Sequence, residues 1–107
     1  MNTSPLSRTV TVLNAQGLHA RPADLLVRLA SKYESTILIG KDGELVDCKS
    51  ILSLLTLGAG EGTELSLQAD GSDAAEAIES ITHLFETGFD EKNEKNEMQG
   101  VKPTIDS

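Results

Sequence analysis

The sequence predicts a two-layer α+β domain, a four-stranded antiparallel sheet covered on one face by three helices in the order β-α-β-β-α-β-α. Three observations lead there. Short stretches alternate apolar and polar side chains, two longer stretches space their apolar residues by three and four, and an Asp-Gly pair joins two of the short stretches.

Thr9-Val10-Thr11-Val12 alternates with β-branched residues, as a half-buried strand does, and Asn14-Ala15-Gln16-Gly17 breaks it. From Ala20 to Lys32 the spacing is helical, with Leu25, Leu26, Leu29 and Ala30 on one side and Arg21, Asp24, Arg28, Ser31 and Lys32 on the other. Pro22 suits the first turn, where a missing N–H costs no intrahelical bond, and this puts His19 at the capping position. Ser35–Ile39 and Glu44–Cys48 read as strands joined by Gly40-Lys41-Asp42-Gly43, a hairpin signal. Ser50 to Leu57 is a short, unusually apolar helical segment closed by Gly58, with Ser50 as its cap. The glycine-rich Gly58–Gly62 segment reads as a turn, and Thr63–Ala69 alternates as a fourth strand. In the last helix Asp73 and Glu76 have capping-box spacing, and Ala74, Ala77, Ile78, Ile81, Leu84 and Phe85 form the apolar stripe. The domain is expected over residues 6–88. Residues 89–107, polar and of mixed charge, are expected to form a disordered tail; the alternative is a short added helix packed on the domain or a partner, with Phe89, Met98, Val101 and Ile105 as its only candidate anchors.

Composition narrows the function. The net charge is −8, with +1 in residues 1–50 and −9 in residues 51–107, a balance unsuited to neutralising a nucleic-acid backbone. Tyr33, Phe85 and Phe89 are the only aromatic residues, too few for a base-stacking surface. Cys48 is alone, so neither an internal disulfide nor a cysteine-pair metal site is available. The N-terminal residues lack the apolar run of a signal peptide, and no stretch approaches the roughly 20 apolar residues that span a bilayer. A soluble cytoplasmic protein is expected. There is no metal-ligand cluster, and no glycine loop ending in Lys-Ser/Thr to cradle a nucleotide phosphate.

The chemistry concentrates in Gly17-Leu18-His19-Ala20-Arg21-Pro22-Ala23. Histidine is a poor helix cap beside Ser, Thr, Asp or Asn. A cation in the first turn opposes the helix dipole and calls for an anionic partner. Together His19 and Arg21 mark a place where an anion such as a phosphoryl group is favoured. A neutral imidazole can also form a covalent intermediate without an adjacent base. His83, without basic neighbours, reads as an ordinary surface residue. The helix after Ser50 carries more apolar residues than one buried stripe needs. With Leu54 and Leu57 turned inward, Ile51, Leu52 and Leu55 lie partly exposed near Leu18 and His19, a docking patch rimmed by Arg21, Arg28 and Lys49.

The His19 stretch, with Lys49-Ser50-Ile51, Leu57-Gly58, Glu61-Gly62-Thr63 and the Ala69-to-Asp73 turn, closely resembles the HPr family, the histidine-containing phosphocarriers of the bacterial sugar phosphotransferase system. The resemblance covers residues 6 to 88. It implies the sheet order 1-4-2-3 and a phosphoryl relay, neither an enzyme nor in need of a cofactor. His19 would accept at Nδ1 a group originating in phosphoenolpyruvate, through enzyme I, and pass it to enzyme IIA domains. A monomer is expected, and in some members of the family the serine matching Ser50 is a regulatory site phosphorylated by an HPr kinase/phosphorylase and read out by a transcription regulator. Ser31 and Ser53 depart from the pattern, standing where some relatives carry lysine. The alternative is a mainly regulatory module of the nitrogen-type relay or of carbon catabolite control. Regulatory relatives of the latter kind lack the histidine.

Overall fold

In the computed structural model, which describes residues 5–90, the chain runs through β1 (Leu6–Thr11), α1 (Ala20–Ala30), β2 (Thr36–Lys41), β3 (Glu44–Asp47), α2 (Ile51–Thr56), β4 (Glu64–Asp70) and α3 (Ala74–Glu86), then a 3-10 turn over Gly88–Asp90. The strands form one sheet in the order β1-β4-β2-β3, every pairing antiparallel, as expected. Because side chains alternate along a strand, directly paired residues share a face. Val10 opposite Leu65, and Ile39 opposite Leu67, thus put their buried side chains on one side of the sheet. The helices meet that side with Ala23 and Leu26 of α1, Leu54 of α2, and Ala77, Ile81 and Phe85 of α3, and the core is almost wholly aliphatic. The β2–β3 turn places Asp42 and Gly43 at φ of 55° and 83°, the two consecutive left-handed residues that a two-residue hairpin requires.

Four local expectations need correction. Helix α1 ends at Ala30, two residues before Lys32. On α3, Thr82 is buried while Leu84 is only half-buried. Asp73 stands at the N-cap of α3 but makes no side-chain cap hydrogen bond. Its carboxylate instead accepts the Glu34 N–H at 2.9 Å, the Ser35 N–H at 3.0 Å and the Ser35 hydroxyl, tying the α1–β2 connection to α3. A tertiary acceptor role has displaced the local capping box. Finally, Phe89 is not the start of a tail: it is 1% exposed and packs edge-on against Phe85, ring centroids 4.9 Å apart. The remainder of the expected tail lies outside the described residues.

The Ser35 hydroxyl, and after it the Glu34 amide, hold the Asp73 carboxyl below the usual carboxylate range. A folded-state pKa below the unfolded one gives stability that is complete above the unfolded value and lost as pH falls toward the folded one. Urea midpoints followed downward from about pH 4 are therefore expected to fall less in Asp73→Asn than in the parent protein. Parallel acid slopes would show that this carboxylate contributes nothing to acid sensitivity.

Cys48 is buried, and burial, followed by the neighbouring Asp47 carboxylate, pushes its thiol up to about 12. Only the thiolate reacts with alkylating agents, so near pH 8 the native thiol is expected to react about a thousandfold more slowly than an ordinary one. Iodoacetamide labelling with and without denaturant measures the difference. Among the described residues no helix is long and apolar enough to cross a membrane, and no group of His, Cys, Asp and Glu is placed to hold a metal ion.

Candidate functional site

His19 is the N-cap of α1, in extended backbone conformation (φ −87°, ψ −167°), and its carbonyl accepts the Ala23 N–H at 2.9 Å. Its side chain is half-buried and makes no cap hydrogen bond. The first turn behind it contains no acidic residue. Pro22 is buried there, contributing its fixed φ and no N–H. The positive end of the α1 dipole therefore meets no carboxylate of its own first turn. An imidazole and the exposed Arg21 stand beside it, which suits a phosphoryl group.

What positions His19 is a set of contacts in the β1–α1 loop that local sequence patterns do not reveal. Gly17 adopts φ +75°, and a Cβ there would lie 2.5 Å from the Ala59 carbonyl oxygen and 2.8 Å from the Gly60 Cα. Only glycine admits both the backbone conformation and the approach. The Leu18 N–H donates to the Ala59 carbonyl at 2.9 Å, and the Gly62 N–H to that of Val12 at 2.8 Å. The glycine-rich turn after α2 is thus the support against which the histidine loop rests. Asn14, buried at 1% exposure, donates its side-chain Nδ2–H to the Gly17 carbonyl at 2.6 Å. The one sequence signal for its role was an asparagine at the start of a turn.

The structure sorts the remaining expected site residues. Leu18 is 5% exposed and belongs to the core, not to a docking face. A single apolar residue beside a histidine has no periodicity to tell which way it faces. Ile51, Leu52 and Leu55, at 37, 73 and 40% exposure, all lie on the open side of α2, while Leu54 is fully buried. Helix α2 packs against α1, the helix that His19 caps. Ser50 caps α2, its hydroxyl accepting the Ser53 N–H at 3.3 Å. Arg28 lies two turns along α1 from Arg21, about 10 Å, and its Nε donates to Asp24 at 2.8 Å. The Lys49 ammonium donates to the Tyr33 carbonyl at 2.8 Å, just past the C-terminal end of α1. That is roughly a helix length, ~16 Å, from His19, so Lys49 ties α2 to the far end of α1 and does not rim the histidine. His83 is exposed, as expected.

The chain is similar to known proteins in both sequence and fold. A profile of the family described as PTS-HPr, "PTS HPr component phosphorylation site", matches residues 6–87. The chain is 42% identical over 85 residues to phosphocarrier protein HPr of Treponema pallidum strain Nichols, covering 79% of this chain and 97% of that protein. It is similar in structure to HPr-C-His of Thermoanaerobacter tengcongensis, with a TM-score of 0.78 and 42% identity over 80% of this chain and 97% of that one. It is also similar to the catabolite-repression protein Crh of Bacillus subtilis, crystallised as a swapped dimer, with a TM-score of 0.64 and 39% identity over 74% and 91% of the two chains.

Proposed function

The chain belongs to the HPr family, the phosphocarriers of the phosphotransferase system, and from that premise we propose that it relays a phosphoryl group on His19 from phosphorylated enzyme I to enzyme IIA domains. The observation that carries the reading is the half-buried imidazole at an N-terminus with no acidic residue in its first turn, beside Arg21. In the acceptance step a ring nitrogen, Nδ1 by family resemblance, supplies its lone pair to phosphorus while the bond between phosphorus and the donor breaks. The product gains roughly two negative charges, as a phosphoserine does. In this reading the α1 dipole and the Arg21 guanidinium offset that charge, while the Gly17–Ala59 contact keeps the backbone in place.

Docking is assigned to the exposed apolar side of α2, with Arg21 and Arg28 as the cationic margin toward acidic partners. Leu52 is the most exposed of the three apolar residues. Leu52→Glu is therefore expected to change stability by no more than about 0.5 kcal/mol and to lower kcat/KM for transfer from enzyme I about tenfold. An unchanged kcat/KM would take Leu52 out of the contact.

Regulation through Ser50 is the second reading, favoured by its place at the α2 N-terminus and by the likeness to Crh. Phosphate at a helix N-terminus is electrostatically tolerated, so modification there acts on docking at α2 and leaves the fold intact. Incubation with phosphoenolpyruvate and enzyme I, and separately with ATP and HPr kinase/phosphorylase, tests both readings. An acid-labile phosphoryl group on His19 supports the relay. An acid-stable group on Ser50 with none on His19 supports the regulatory module instead.

A further inference from the structure

We infer that Asn14 is a positioning residue for phosphoryl transfer, its side-chain amide holding the Gly17 carbonyl and, through it, the backbone of His19. This rests on the relay reading above. Asn14 lies just beyond β1 and is 1% exposed, so its carboxamide sits at a cost unless hydrogen-bonded. Its Nδ2–H donates to the Gly17 carbonyl at 2.6 Å. The same oxygen accepts the His19 N–H at 2.9 Å, and the Gly17 N–H returns to the Asn14 carbonyl at 3.0 Å. One oxygen therefore receives both the carboxamide and the amide of the residue that carries the imidazole.

The Gly17–Leu18 peptide has a support on each side, the Asn14 amide on its oxygen and the Ala59 carbonyl on its nitrogen. Removing the carboxamide leaves that peptide held on its far side by Ala59, next to the residue type with the widest backbone freedom. His19 follows immediately, so rotation of the peptide displaces the imidazole. A misplacement of about 1 Å can slow a positioned reaction by roughly a hundredfold. Docking is assigned to α2, a different element, so the two contributions separate kinetically: Asn14 acts on kcat and α2 on KM.

With phosphorylated enzyme I as donor, Asn14→Ala is expected to lower kcat by about tenfold or more while KM stays within about twofold. Ile81→Val, a conservative change in the core, is expected to alter neither. A kcat within about twofold of the parent overturns the assignment, as does a loss confined to KM or an equal fall in Ile81→Val. Should Asn14→Ala not fold, the parent protein decides by NMR. Its Asn14 side-chain amide protons are expected to exchange with solvent about tenfold or more slower than those of a free carboxamide, and to shift when His19 is phosphorylated. Exchange at the free rate overturns the assignment. A parent protein that accepts no phosphoryl group while these protons stay protected overturns the relay reading and this role with it. A phosphorylated parent beside an Asn14→Ala of normal kcat overturns this role alone.

Discussion

His19→Asn is expected to yield a more stable protein that can no longer be phosphorylated by enzyme I. His19 occupies an N-cap in extended conformation and makes no side-chain cap hydrogen bond. Asparagine is among the most favoured residues there, and its side-chain oxygen can accept the Arg21 N–H, Pro22 having none to offer. The gain is about 1 kcal/mol, or a rise in Tm of about 4–8 °C for a domain of this size. Acceptance falls to background, because the asparagine carboxamide has no nucleophilic nitrogen with which to form the covalent intermediate. His19→Ala is the control: alanine caps poorly, so it shares the loss of acceptance without the gain in stability. Thermal unfolding and mass spectrometry after incubation with phosphoenolpyruvate and enzyme I measure both effects. A His19→Asn protein that still accepts an acid-labile phosphoryl group would place the chemistry elsewhere in the chain.

Gly17→Ala is expected to be the most damaging single-methyl change in the histidine loop. An alanine at φ +75° is strained, and its Cβ meets the Ala59 carbonyl and the Gly60 Cα, both backbone atoms that no side-chain rotation can clear. Strain and displacement together are expected to cost roughly 2–4 kcal/mol. The loop must separate from the glycine-rich turn, so transfer also slows, by roughly tenfold or more. Gly43→Ala separates the two causes, since Gly43 has φ +83° with nothing within 4 Å of the added carbon. That variant is expected to lose only about 1 kcal/mol and to transfer at the parent rate. Equal urea midpoints for the two variants would show that the Ala59 contact carries no weight.

The sequence was most legible where structure is decided locally. The Asp42-Gly43 turn, the helix start set by Pro22 and the inward and outward sides of α2 each follow from residues within a few positions of one another. The order of the strands came from family resemblance, because pairing β1 with β4 joins distant parts of the chain that no periodicity relates. The histidine itself could be read, but what holds it could not. Asn14, the Ala59 carbonyl, the bond from Lys49 to Tyr33 and the diversion of Asp73 from its helix all depend on which segments meet after folding. Asp73 is the clearest instance: its spacing to Glu76 fits a capping box, yet three donors from the α1–β2 connection take its carboxylate.

The backbone hydrogen bonds from Ala59, Gly62 and Thr63 to the segment between β1 and α1 also set when during synthesis that segment gains its native contacts. His19 leaves the ribosome early, but its loop has no floor until the segment after α2 has followed, and β1 has no neighbour until β4 is made. Closing so long a loop is slow compared with winding a helix, so α1 forms before its cap is held in place. A nascent chain ending within α2 therefore presents the histidine motif without the geometry that works it.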